Sequence, residues 1–110
     1  ATILKTPYTF DVSVPELFAP FMIGARVIVA RPGGHADPAY LAALVAMHGI
    51  AAVDFVPSML AAFLDVVDDE QLAAMTGLHH LYIAGEALPP ALARAARERL
   101  PHVALHNLYG

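Results

Sequence analysis

The sequence predicts an α/β fold, a mostly parallel sheet with crossover helices, on three observations. Short apolar or β-branched runs alternate with longer stretches of helical period. Four of those runs are followed by a helix-start signal with proline in the first turn, and glycine or proline marks most junctions. At 110 residues and 58% hydrophobic, the chain has apolar material for one core and little room for a second.

The elements follow in order. Ile3-Leu4 opens the chain on an apolar stretch. Ser13 and Glu16 form a Ser-x-x-Glu capping box for a first helix, with Pro15 tolerated in its first turn, Pro20 kinking it or ending it early, and Gly24 as its stop. Arg26 to Ala30 reads as a strand, and Arg31-Pro32-Gly33-Gly34 as the turn after it. Asp37 caps a helix with Pro38 at its first position, Leu41, Leu44, Val45 and His48 on one face, and Gly49 at its end. Ile50 to Phe55 is a second strand. Pro57-Ser58 then opens a helix burying Met59, Leu60, Phe63 and Leu64, and the acidic run Asp65 to Glu70 reads as a solvated surface segment. His80 to Ala84 is a third strand with Gly85 turning the chain. Pro89-Pro90 starts the helix Ala91 to Leu100, with Arg94, Arg97 and Arg99 on its wet face; Pro101 ends it, and Val103 to Leu108 is a fourth strand.

Composition excludes several classes of function. A net charge of -4 offers no basic patch for a phosphate backbone, so nucleic acid is not an expected partner. The absence of cysteine removes disulfides and thiolate metal sites and is compatible with a reducing cytoplasm, the expected location. No apolar run reaches the roughly 18 to 20 residues that span a bilayer, so no membrane anchor is expected. Charged residues make up 15%, against about 25% in a typical free-standing domain, which predicts that part of the surface is covered by further chain. The start at Ala1 and the stop at Tyr109-Gly110 suggest an internal piece, so residues 1–110 are expected to be a partial domain.

In open parallel sheets the carboxyl ends of the strands form the binding edge, because loops diverge there and helix N-termini point inward. The polar exceptions of this sequence gather at that edge. Asp54 lies near the end of the second strand, Gly85-Glu86 follow the third, Asn107 and Tyr109 end the fourth, and Asp11 precedes the first helix.

Four segments then become recognisable: Phe10-Asp11-Val12-Ser13, Phe55-Val56-Pro57-Ser58-Met59-Leu60, Gly85-Glu86-Ala87-Leu88 and Asn107-Leu108-Tyr109-Gly110. In order and spacing they resemble the adenylation domains of nonribosomal peptide synthetases, from about Lys5 to the last residue. The resemblance implies part of the large N-terminal portion of an adenylate-forming enzyme. Asp11 would hold the α-ammonium of an amino acid through a charge-assisted hydrogen bond, worth about 1.5 to 3 kcal/mol net. Read by itself, Asp11 is equally a helix-entry acid favoured by the dipole. Gly85, Glu86 and Ala87 would line the nucleotide, with Glu86 in a structural role or hydrogen-bonding nearby backbone. Asn107 would face the adenine amine, and Leu108, Tyr109 and Gly110 would continue that segment, Tyr109 along the purine. Outside the resemblance Tyr109 reads as a core aromatic.

The resemblance also implies a side-chain pocket of Asp11, Val12, Pro15, Asp54, Tyr82, Ala84 and Leu108. Its walls are mostly apolar, so Asp54 is informative: a second acid beside Asp11 in a dry pocket needs a cation. A basic substrate such as ornithine, lysine or arginine would supply one. Lys5 or a basic residue elsewhere, or a small polar substrate hydrogen-bonded to Asp54, are the alternatives.

The six histidines suggest no metal site, because His79 and His80 would point to opposite faces of a strand and His102 and His106 flank a strand start. Pro32-Gly33-Gly34 lacks the Lys-Ser/Thr of a phosphate loop. For the complete enzyme the resemblance implies ATP and Mg2+, an amino acid substrate, and a carrier-protein domain bearing phosphopantetheine. The phosphate loop would precede Ala1 and the magnesium-associated acid would follow Gly110, so the 110 residues by themselves are expected to be inactive. The alternatives are an acyl- or aryl-coenzyme A ligase of the same superfamily, which would have no use for Asp11, and a non-catalytic α/β binding domain.

Overall fold

A computed structural model of the chain describes residues 2–5, 24 and 26–108. Its strands are β1 (Thr2–Leu4), β2 (Val27–Val29), β3 (Ala52–Phe55), β4 (His80–Ile83) and β5 (Ala104–Asn107). They form one sheet in the order β2-β1-β3-β4-β5, and every pairing is parallel. Helices α1 (Pro38–His48), α2 (Pro57–Val66), α3 (Asp69–Ala73) and α4 (Pro90–Arg99) lie in the crossovers that parallel neighbours require. The α/β class with a parallel sheet is therefore as the sequence predicts. The helix expected between Ser13 and Gly24 falls outside the described residues except for Gly24, whose φ of 72° is left-handed.

One strand more is present than the four expected. β1 inserts between β2 and β3, with Ile3 opposite Ile28 and buried. Three residues are too few to show a period of two, so only the pairing reveals it.

The helix ends follow local chemistry. The Asp37 carboxylate accepts from the Tyr40 N–H, Pro38 fills the first turn, and Gly49 closes α1 at φ 60°. The acidic run is more than a solvated segment. Asp68 caps α3 in a reciprocal box with Gln71, and Val67 between the acids is buried. Arg99 also departs from expectation. Arg94 and Arg97 are exposed, but the Arg99 guanidinium turns inward and donates to the carbonyls of Leu64 and Val67. The last turn of a helix leaves carbonyls without partners, and a cation there also favours the dipole.

A single core joins the helices to one face of the sheet. Leu41 and Val45 of α1, Leu60 and Phe63 of α2, Leu72 of α3 and Ala96 of α4 meet Val53, Phe55, Leu81 and Ile83. Along β3 and β4 the odd-numbered residues are buried and the even-numbered ones half-exposed. The second face, carrying the even-numbered side chains, is the one that positions the candidate site.

Candidate functional site

Register aligns the polar exceptions in one row. Asp54 pairs with Tyr82 across β3 and β4, and Tyr82 pairs with His106 across β4 and β5. The three side chains share the half-exposed face because paired residues in a parallel ladder project to the same side. The ends of the strands are also level: the Ala84 N–H donates to the Phe55 carbonyl at 3.1 Å, and the Leu108 N–H to that of Ile83 at 2.7 Å. Asp54, Tyr82, Ala84 and Leu108 thus lie together at the carboxyl ends of three adjacent strands. Ala84 is half-buried, whereas Leu108 is 61% exposed. At the end of β1, the Lys5 ammonium stands 5.2 Å from the centroid of the Phe55 ring, within cation-π range.

The turn after β4 is built by Gly85 and fastened by Glu86. Gly85 has φ 89°, a region that other residues rarely adopt. A Cβ there would also stand 3.0 Å from Val56 Cγ1. Glu86 Oε1 accepts from the Ser58 N–H at 3.2 Å and from Ser58 Oγ at 2.9 Å. Val56, the residue at the N-cap of α2, makes no side-chain cap, so a carboxylate 28 residues away satisfies an orphan donor at that helix start. Ala87 follows, exposed, and Asn107 is exposed at the end of β5.

Behind Tyr82 stands a ring cluster that sequence reasoning missed. His106 stacks on Tyr82 with centroids 4.7 Å apart and planes 16° apart, and His80 lies 6.0 Å from Tyr82 on the same strand face. His80 Nδ1 and His106 Nε2 are 3.1 Å apart. His106 lies inside β5, within the strand expected from Val103 to Leu108, and it meets His80 directly. The spacing of His80 and Tyr82, two apart, was a signal for a shared face, but the partner on β5 depends on register. Among the described residues no group of three or more His, Cys, Asp or Glu could hold a metal ion. Among them, too, no helix is long and apolar enough to cross a membrane. Asp11, Val12, Pro15, Tyr109 and Gly110 lie outside the described residues.

Comparison with known proteins supplies the family. The model of the family described as AMP-binding enzyme matches residues 1–110. The chain belongs to this family. Within it, phosphinothricin tripeptide synthetase PhsB of Streptomyces viridochromogenes is 52% identical over 106 residues, which are 96% of this chain and 9% of that protein. Enterobactin synthase component F of Escherichia coli is 42% identical over 107 residues, 96% of this chain and 8% of its own length. Tyrocidine synthase 3 of Brevibacillus parabrevis is 38% identical over 110 residues, 100% of this chain and 2% of that one. The chain thus spans less than a tenth of each of these relatives. Among solved structures, the nonribosomal peptide synthetase FmoA3 in its AMPPNP-bound form superposes with a TM-score of 0.84 at 26% identity, over 99% of this chain and 12% of that one. PA1221, a nonribosomal peptide synthetase protein containing adenylation and PCP domains, gives 0.82 at 26% identity over 99% and 21%. The resemblance read from four short segments therefore extends over 96 to 100% of the chain.

Proposed function

We propose that residues 1–110 are the substrate-pocket part of an adenylation domain that activates an amino acid for peptide synthesis. In the complete protein, a carboxylate oxygen of the amino acid attacks the α-phosphorus of ATP, a P–O bond forms, and pyrophosphate leaves with the broken anhydride bond. The thiol of a carrier-protein phosphopantetheine then takes the acyl group and AMP departs. Such a displacement asks mainly for positioning and charge stabilisation. The observation that carries this reading is the match of the chain to peptide synthetases over 96 to 100% of its length.

On this reading Asp11 holds the α-ammonium, and Val12, Pro15, Asp54, Tyr82, Ala84 and Leu108 surround the side chain. Gly85, Glu86, Ala87, Asn107, Leu108, Tyr109 and Gly110 lie along the nucleotide. The common row of Asp54 and Tyr82 and the level strand ends support the grouping. The Glu86 carboxylate acts by holding the turn through Ser58, so backbone rather than carboxylate faces ATP. Magnesium would neutralise phosphate charge in the complete protein. A cytoplasmic location fits the need for ATP.

The substrate class we propose is a basic amino acid, because on this reading Asp54 would add a second carboxylate to the pocket of Asp11. Pyrophosphate exchange by the complete domain should rank ornithine, lysine and arginine above leucine, threonine and phenylalanine, and Asp54→Ala should remove that ranking. An unchanged ranking in Asp54→Ala sinks the basic substrate. Exchange driven by aryl or fatty acids, but by no amino acid, would sink the adenylation-domain reading in favour of a coenzyme A ligase.

A further inference from the structure

We propose that His106, braced by His80, is a positioning residue for Tyr82, fixing the plane of its phenol so that the amino acid, and not ATP, depends on it. The inference rests on the reading of Tyr82 as a pocket wall. Tyr82 is half-buried on the sheet face that the described helices leave open, where a ring held only by its own strand could swing about its first side-chain torsion. Two rings remove that freedom. His106 projects from the paired position on β5 and lies almost parallel to the phenol at 4.7 Å. His80 comes from two residues earlier on β4 and closes a triangle, with its centroid 6.0 Å from Tyr82 and 5.3 Å from His106.

The imidazole pair explains why the brace is polar. Its 3.1 Å nitrogen contact requires one ring to donate an N–H and the other to accept. An aliphatic side chain at position 106 would fill space without the offset stacking preference that aligns two aromatic planes. Tyr82 in turn stands beside Asp54 in the same row, so a tilt of the phenol changes the space in front of the carboxylate.

The test is pyrophosphate exchange by the complete adenylation domain with the twenty proteinogenic L-amino acids and L-ornithine, followed by KM for whichever of these the unaltered protein uses best. His106→Ala and the bulkier His106→Leu should each raise that amino-acid KM about 2- to 12-fold, the range of an aromatic pair. KM for ATP and kcat should stay as they were, and His106→Phe, which keeps the ring stacking but loses the nitrogen contact to His80, should restore the amino-acid KM in part. An amino-acid KM that does not move in the Ala and Leu variants, an ATP KM that rises in step with it, or a Phe variant as impaired as Leu overturns the proposal. Tyr82→Ala separates this failure from that of the pocket. If Tyr82→Ala raises the amino-acid KM and the His106 variants do not, only the positioning role falls; if Tyr82→Ala also leaves KM and ranking unmoved, the pocket reading falls and this inference with it.

Discussion

At Gly85 two separate constraints meet on one residue, a φ of 89° and a 3.0 Å approach of any Cβ to Val56 Cγ1. Backbone held in such a region costs a residue with a side chain about 1 to 3 kcal/mol, and the contact adds to it. Gly85→Ala should therefore lower the urea midpoint of the complete domain. Adding Val56→Ala relieves the contact but not the dihedral, so the double variant should recover only part of the loss; full recovery would mean that the backbone is unstrained. Asp37 is a second such residue, since it both caps α1 and pairs with Arg31 at 2.7 Å. Both side chains of that ion pair are well exposed, where such pairs contribute about 0 to 1 kcal/mol, whereas losing the cap costs about 1 kcal/mol. Asp37→Asn keeps an acceptor for the Tyr40 N–H and should unfold close to the unaltered protein. Asp37→Ala should fall below it by the cap, and equal midpoints for Asn and Ala would refute the assignment.

Among the helices, α2 takes both of its end partners from distant segments. Glu86 serves its first turn through Ser58, and Arg99 serves its last through Leu64 and Val67 while also reaching Asp69 at 3.2 Å. Lysine cannot reproduce the fork that serves several carbonyls at once. Arg99→Lys should therefore lose about 1.5 to 3 kcal/mol in equilibrium unfolding, the range for hydrogen bonds to a charged group. A lysine variant as stable as arginine would show that charge alone suffices there. The contrast with α1 explains what could be read beforehand. Asp37, Pro38 and Gly49 act within a few residues of the ends they define, so local spacing revealed the helix. The partners of α2 lie 28 and 32 residues away, and no spacing rule reaches that far. Arg99 accordingly looked like one of three wet arginines, and Glu86 like a residue whose part was open.

For the whole chain, the same divide separates which residues gather from how they touch. The grouping of Asp54, Tyr82 and Ala84 came from the resemblance, and the alternation of burial along β3 and β4 puts Asp54 and Tyr82 on one face. The meeting of His80 with His106 required the register of β5 against β4, which no residue of either strand announces alone. That face also bears on the integrity of the molecule. All-parallel sheets are found almost only with both faces covered. Here the described helices build one core with a single face, while the row of Asp54, Tyr82 and His106 remains half-exposed. Val29 and Met47 are 69% and 74% exposed, and β2 and β5 leave unpaired edges among the described strands. The radius of gyration, 12.8 Å, is nevertheless that of a compact unit of this length, about 13 Å, so a core forms although the described helices cover a single face of the sheet. Exposed apolar surface and open strand edges are what drive association. A polypeptide of residues 1–110 should therefore bind a hydrophobic dye and self-associate in sedimentation at concentrations where the complete domain stays silent and disperse, and it should give no pyrophosphate exchange. A monomeric, dye-silent polypeptide would show that the open face closes within the 110 residues, and exchange by that polypeptide would show that the catalytic charges do as well.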